Sequence, residues 1–394
     1  MKKKRLYISV LSTLLLLPAC QQETFHSPDI PTDHADYIQF GTPTVTLNTE
    51  SRSITKDALA EGDAFGVLGY CLAYRVGTQT INYNSGSDSW SNKKAYCPPS
   101  VFYKQKVTVS NGGTTYDKDN TTGSENNPKY WYIDGKDLDG SDNANITNAD
   151  NFNYSFIGYY PYGDEYFSFE QPTDETQAGA PILTFTMPQT DDNLNASKTP
   201  DAMLGVEYNV QKGNSGRVQF DFYHILTGLG FVINNYSDYD LTVHSLTLSG
   251  SFYKEVKIDL TGSTVSYTFP KSRYTGTYTL SNQDIVLNAP TDEEACTSSE
   301  SPIGGEHLLL ISGEETSFGD NVKVNIRYTF NGENKAQEIP RNSSFRPQPG
   351  VNYTAQLNFV GNAFVLQFTV DNGEIWEDGE ADDENETNDD VIFE

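Results

Sequence analysis

From residue 37 to residue 372 the chain is written in short runs where apolar and polar positions alternate, the period-two signature of strands with one buried face. The first run is 37–49. Ile38 and Phe40 alternate with polar neighbours, Val45 and Leu47 do the same, and Gly41-Thr42-Pro43 interrupts them. Proline has no amide hydrogen to give to a ladder, so pairing must break there. Short runs at 65–74, 104–110, 130–133, 154–160, 182–187 and 203–210, several of them aromatic, predict further strands. Asn/Asp/Gly/Ser loops separate them, notably 111–128 and 134–151.

Residues 211–216, QKGNSG, read as a boundary. Beyond it Val218, Phe220 and Phe222 alternate with polar positions, 225–233 is mostly apolar, and strands are predicted at 241–248, 256–260, 264–269 and 308–311. The clearest alternation is Val322, Val324, Ile326, Tyr328 and Phe330. Runs at 352–360 and 363–370 flank Gly361-Asn362, a two-residue hairpin signal. No stretch holds a helical period over three turns. The pattern predicts an all-β chain of two tandem β-sandwich domains, 37–212 and 217–379.

Composition agrees, with 25 Tyr and 21 Phe against 3 Met, which favours strands joined by turns. Between residues 377 and 390 nine residues are acidic and none is basic. The end, 380–394, therefore reads as a solvated acidic tail closing on Val391-Ile392-Phe393-Glu394.

At the front, Lys2, Lys3, Lys4 and Arg5 precede an apolar run, 6–17, that is too short to span a bilayer and has the layout of a secretory signal. It closes on Leu17-Pro18-Ala19-Cys20, which resembles the lipobox of bacterial lipoproteins. That resemblance implies a signal peptide at 1–19 and a mature chain that begins at Cys20, acylated on its sulfur and its amino group. Residues 20–36 carry prolines and no periodicity, as a flexible spacer would. The net charge of −28 becomes −32 once the four basic residues of the signal are gone. Such a surface repels nucleic acid and anionic head groups, so a lipid tether, not charge, must hold the protein at a membrane.

Three cysteines remain. Cys71, Cys97 and Cys296 allow one disulfide, Cys71 with Cys97, or three buried thiols. Five histidines show no metal-ligand spacing, and His224, inside an apolar strand, reads as a hydrogen-bonded core residue. There is no phosphate cradle, zincin motif or nucleophile elbow. Ser91-Asn92-Lys93-Lys94 and Ser141-Asp142-Asn143 match two motifs of serine penicillin-recognising enzymes, but they stand in loops instead of at a buried helix start, and the K-T-G motif is absent. Asp134, Asp137, Asp139 and Asp142 could offer oxygens to calcium, yet the position that needs a glutamate is Asn148. Tyr70, Trp90, Tyr130, Trp131, Tyr132, Tyr159 and Tyr160 are candidates for stacking on sugars, although period-two aromatics more often build cores. The expectation is a protein without cofactor, metal or catalytic activity.

Several stretches together resemble the fimbrillin-like proteins of Bacteroidetes, the subunits of type V pili. They are Pro200-Asp201-Ala202-Met203-Leu204 followed by 218–234 (VQFDFYHILTGLGFVIN), with Phe220, Phe222, His224 and Leu226 in an F-x-F-x-H-x-L pattern. Gly62-Asp63-Ala64-Phe65, Pro349-Gly350-Val351-Asn352-Tyr353 and Trp376-Glu377-Asp378-Gly379 add to it. The resemblance implies two transthyretin-like sandwiches, export as a lipoprotein to the cell outer membrane, and polymerisation by strand exchange into a surface pilus. Its partners would be other pilus subunits, outer-membrane lipid through Cys20 and a surface ligand. In stalk-type members a trypsin-like protease cuts after a basic residue beyond the first strand, which then leaves. Arg52 holds that position here. Cutting after it would detach Ile38, Phe40, Val45 and Leu47, about 6–12 kcal/mol of apolar burial at ~1.5–3 kcal/mol each. By length and pattern, 363–370 is a better donor strand than 391–393. The alternative is a surface glycan-binding lipoprotein of a polysaccharide-uptake system, which keeps its N-terminus and binds through Trp90 or Trp131.

Overall fold

The computed structural model describes residues 37–45, 58–71, 75–76, 79–80, 99–111, 113–116, 129–170, 182–190, 194–212, 217–260, 265–291, 295–312, 318–340, 347–370 and 391–392. Among them the only helices are two single 3-10 turns, Ala149–Asn151 and Ala196–Lys198. Everything else regular is strand, so the chain is all-β.

Four sheets carry the fold. A seven-stranded sheet runs in the order Thr44–Val45, Asp221–His224, Met203–Val210, Tyr154–Tyr160, Ala64–Cys71, Phe102–Ser110, Gly113–Tyr116. A four-stranded sheet joins Ser266–Thr268, Glu255–Asp259, Ile182–Thr186 and Phe167–Phe169. A six-stranded sheet is built on Thr227–Asn235, Asn352–Val360 and Ala363–Val370, and a five-stranded sheet on Arg273–Ser281, Leu241–Tyr253, Gly319–Phe330 and Glu333–Pro340. The hairpin at Gly361 forms as expected: Val360 pairs with Ala363, and Gly361 takes the left-handed φ of 67° that a tight hairpin turn demands.

The six- and five-stranded sheets face each other. Alternation puts Val322, Val324, Ile326, Tyr328 and Phe330 inward, all buried. Tyr328 and Phe330 meet Phe359 from the opposite sheet at ring-centroid distances of 5.5 and 4.8 Å. Gln337 clips the open side, donating through Nε2 to the carbonyl of Phe364 and accepting from its amide, each at 2.8 Å.

The seven-stranded sheet is covered on both faces, which is why Tyr154–Tyr160 is buried at every position instead of alternately. One face sends Leu68, Tyr70, Ile157, Tyr159 and Leu204 into a core continuous with that of the later strands. The other sends Phe65, Val67, Tyr154, Phe156, Met203, Phe220 and Phe222 into a separate cluster. That second cluster is roofed by irregular chain, including Leu59, Trp131, Leu138 and Phe152, together with Ile38 and Phe40.

The sheets do not change over at the 213–216 boundary. Asp221–His224 still pairs with Met203–Val210, and Glu255–Asp259 pairs with Ile182–Thr186. The chain passes to the six-stranded sheet only after His224, at Thr227. Residues 130–133, expected as a strand, make only isolated bridges at Tyr130 and Ile133, because this segment caps the cluster instead of joining the sheet. Arg273–Ser281 is not among the expected strands although Tyr274, Tyr278 and Leu280 alternate with polar positions, and two more strands lack a hydrophobic alternation, Gly113–Tyr116 and Glu333–Pro340. The last reads ENKAQEIP, and cross-strand pairing to Gly319–Phe330 overrides its helix-favouring composition.

Phe359 is fully buried between three rings. Phe359→Ala is expected to lower the unfolding free energy by about 3–5 kcal/mol, whereas Val365→Ala, on an exposed position, is expected to change it by about 0.5 kcal/mol or less. Urea denaturation of the two variants checks both.

Candidate functional site: the slot that holds residues 37–45

The segment that opens the described chain lies in a slot of the seven-stranded sheet's second face. On one side it runs parallel to 217–222: Gln39 and Phe40 pair with Arg217 and Val218, then Thr44 and Val45 with Asp221 and Phe222. Three residues lie between Phe40 and Thr44 where two lie between Val218 and Asp221. The extra residue is absorbed at Gly41-Thr42-Pro43, where the expected break occurs. A Cβ on Gly41 would fall on the end of the Gln219 side chain, which would have to swing away from its bond to the Thr42 carbonyl.

The backbone of the segment is bonded on both sides. The amides of Gly41 and Thr44 donate to the carbonyls of Val218 (2.9 Å) and Phe220 (3.0 Å), and that of Ile38 to Lys129 (2.8 Å). Its carbonyls are met by side chains: Thr114 Oγ1 donates to Phe40 O at 2.6 Å, Tyr116 Oη to Ile38 O at 2.8 Å, and Gln219 Nε2 to Thr42 O at 2.7 Å. The Tyr116 hydroxyl also accepts from the Lys129 amide at 3.0 Å. Buried in this way, it is pushed well above the ordinary tyrosine pKa by desolvation and stays a neutral donor.

Phe40 is the anchor. It is 3% exposed and its ring sits among Phe65, Phe102, Tyr116, Phe156 and Phe220, with centroids 5.5–6.4 Å away. Ile38 is fully buried and Val45 half buried. Leu47, Arg52, Cys20 and Cys97 lie outside the described residues. Cys71 is fully buried at the end of Ala64–Cys71, close enough to the Tyr154 hydroxyl to perturb it.

The far end of the slot is acidic. Thr44 Oγ1 donates to Asp221 Oδ1 at 3.0 Å. Glu207 on the next strand has its carboxyl pKa raised above 4.5, first by burial and then by the charge of Asp221. Neither acid was singled out from the sequence. Both sit in alternating strands as ordinary polar positions, and only the parallel docking of 37–45 gives them a role.

The other candidates resolve into structure. His224, 4% exposed, bonds Asp201 through Nδ1 at 2.5 Å, the expected core histidine. Asp134, Asp137 and Asp139 accept from the amides of Ala149, Leu138 and Ser141, and Asp142 pairs with Lys136. Among the described residues no group of three acidic, histidine or cysteine side chains is placed to hold a metal. Ser91 lies outside the described residues, and a further S-x-x-K match, Ser251-Phe252-Tyr253-Lys254, begins on a strand, without the buried helix that this chemistry requires. Trp131, Tyr70 and Tyr159 are each 1% exposed, and Tyr132 and Tyr160 are 8% exposed, so they cannot stack on a sugar. Trp90 lies outside the described residues.

A family model described as fimbrillin-like matches residues 51–372. The chain belongs to the fimbrillin-like family. This fimbrillin-like chain is 23% identical to the fimbrium subunit Fim1C of Phocaeicola vulgatus, over 96% of its own length and 98% of that protein's. It is similar to the tip fimbrial protein Mfa3 from Porphyromonas gingivalis, solved with a C-terminal truncation, at 7% identity, with 83% of this chain and 98% of that one covered and a TM-score of 0.29. A fimbrial assembly protein from Parabacteroides distasonis is 8% identical, with 83% and 96% covered and a TM-score of 0.34.

Two outcomes follow from the slot's chemistry. Phe40→Ala removes the central ring of a closed cluster and is expected to cost about 3–5 kcal/mol in urea unfolding. Glu207 binds its proton more tightly folded than unfolded, so it withdraws stability as pH rises from 4.5 through its raised value. Glu207→Gln is expected to melt higher than the parent at pH 7 and to converge with it below pH 4.5, as followed by thermal melts across that range.

Proposed function

We propose that this fimbrillin-like chain is a structural or adhesive subunit of a type V pilus. It is exported as a lipoprotein, tethered to the outer membrane through Cys20, and joined to neighbouring subunits by strand exchange after cleavage at Arg52 removes the segment that begins at residue 37. The observation that carries this reading is the seating of Ile38 and Phe40. Both are core residues, yet they reach the core from a segment that is contiguous in sequence and lies at the margin of the sheet.

Removing that segment uncovers the rings around Phe40 and leaves the carbonyls of Val218 and Phe220 without their backbone donors. Ile38 and Phe40 alone represent about 3–6 kcal/mol of burial, a large part of the ~5–15 kcal/mol that holds a domain folded. A chain in that state lowers its free energy by taking a strand from elsewhere.

The donor is where the fold changes the expectation. Ala363–Val370 pairs along its whole length with Asn352–Val360, and Phe364 and Leu366 are buried in the core. Releasing it would take apart the six-stranded sheet. Val391–Ile392 lies beyond it, paired only through Gln367 and Phe368. In this proposal the segment around 391–392 is the donor, because leaving an edge costs two ladder pairs instead of eight.

The test is limited trypsin digestion of the purified full-length precursor, followed by intact-mass measurement and size-exclusion chromatography. Cleavage at Arg52, loss of the N-terminal fragment and appearance of oligomers is the expected result. A protein that sheds the fragment and stays monomeric contradicts assembly by this route.

A further inference from the structure

The slot is polar along its length in a way that its aromatic floor does not explain. At the end where the segment enters, Arg217 Nε donates to Gln39 Oε1 at 3.4 Å. Five residues further along the occupant, the carboxylate of Asp221 accepts from the Thr44 hydroxyl at 3.0 Å. Both contacts come from one stretch of chain, Arg217 in the strand Arg217–Val218 and Asp221 at the start of the strand Asp221–His224, and both face the same docked segment. The groove therefore presents a cationic donor to one position of its occupant and an anionic acceptor to another. Glu207, whose carboxyl feels Asp221, deepens the negative end.

We propose that Arg217 and Asp221 determine which strand the emptied slot accepts. The selected partner is a β-strand of a different subunit, running parallel to 217–222, with an aromatic ring in the Phe40 socket, an acceptor such as Gln or Glu beside Arg217, and a hydroxyl or ammonium donor beside Asp221. The chain's own 391–394 serves another subunit's slot, since Phe393 in this socket would put Ile392 beside Arg217. This rests on the reading that residues 37–45 leave.

The physical basis is asymmetric. A hydroxyl or ammonium at the Thr44 position satisfies Asp221, as Thr44 does in the intact chain. A carboxylate there would place a third negative charge near Asp221 and the half-buried Glu207, and like charges brought together at an interface are a stronger discriminator than any single favourable contact. Where the two positions carry Glu and Lys, an antiparallel strand fails as well, because it brings a carboxylate to Asp221 and an ammonium to Arg217, whereas Gln and Thr each donate and accept and fit either way. Sequence, and direction for such a charged pair, is thus read by two side chains five positions apart on the occupant. The aromatic socket supplies affinity without reading direction, since a ring fits it from a strand of either polarity.

The experiment keeps the whole chain. Full-length protein is cleaved at Arg52 by trypsin, the trypsin is inhibited, and fluorescently labelled synthetic peptides are added at once in excess over the released fragment, with their entry into the slot read by anisotropy. The peptides are the 37–45 sequence, its Thr44→Asp and Thr44→Lys variants, and the reversed-charge double variant Gln39→Lys with Thr44→Asp. The expected result is exchange of the parent and Thr44→Lys peptides, with Thr44→Asp at least about tenfold weaker and the double variant weaker again. Asp221→Asn in the protein should bring the Thr44→Asp peptide to within about threefold of the parent. If the parent peptide exchanges and Thr44→Asp exchanges equally well, selection by Asp221 is overturned while strand exchange stands. If no peptide exchanges, the strand-exchange reading itself fails and takes the selectivity with it.

Discussion

The interaction on which the structure depends is the parallel docking of a short N-terminal segment against 217–222, with Phe40 locked among five aromatic rings. A parallel strand pair is slightly weaker per residue than an antiparallel one, and this one is interrupted at Gly41-Thr42-Pro43. What holds it is side-chain chemistry. Thr114, Tyr116 and Gln219 supply the donors that a second neighbouring strand would otherwise provide. The segment is consequently well satisfied and well buried, but almost all of its partners belong to the slot and not to itself. That is the physical condition for an element that can be replaced by an equivalent from another molecule.

The rest of the fold protects this arrangement. The seven-stranded sheet is held from behind by a core continuous with that of the later strands, which does not include Ile38 or Phe40. The cluster containing them lies on the opposite face and is roofed by irregular chain. Loss of the segment would open that cluster while leaving the larger core intact, so the energetic damage is local. The buried His224–Asp201 pair sits where the two systems meet. Beside it, the Ile225 amide donates to the Ala202 carbonyl, extending the pairing of Asp221–His224 with its neighbour Met203–Val210 by one step.

Much of the β-structure was legible because one-faced burial imposes alternation. Val322 through Phe330 and the Gly361-Asn362 hairpin appear where the pattern puts them. What the sequence concealed has physical reasons. Glu333–Pro340 is an outer strand with little inward surface to pattern it. Residues 130–133 read as a strand, whereas Trp131 and Tyr132 cap a cluster from irregular backbone, a role that no period marks. Asp221 and Glu207 are indistinguishable in one dimension from any solvated strand position. Their role exists only because Thr44, some 180 residues earlier, lies beside Asp221. The donor assignment suffered from the opposite problem: 363–370 has an ideal strand pattern because it is an interior strand, and an interior strand is the least available to leave.

The central claim is that the segment beginning at residue 37 is present in the folded precursor and absent from the assembled subunit. It is tested most directly by recovering pili from cells that express this chain and determining the N-terminal residue of the subunit by mass spectrometry. The account predicts a subunit that starts at Ser53. Pilus subunits that retain Ile38 and Phe40 would contradict it.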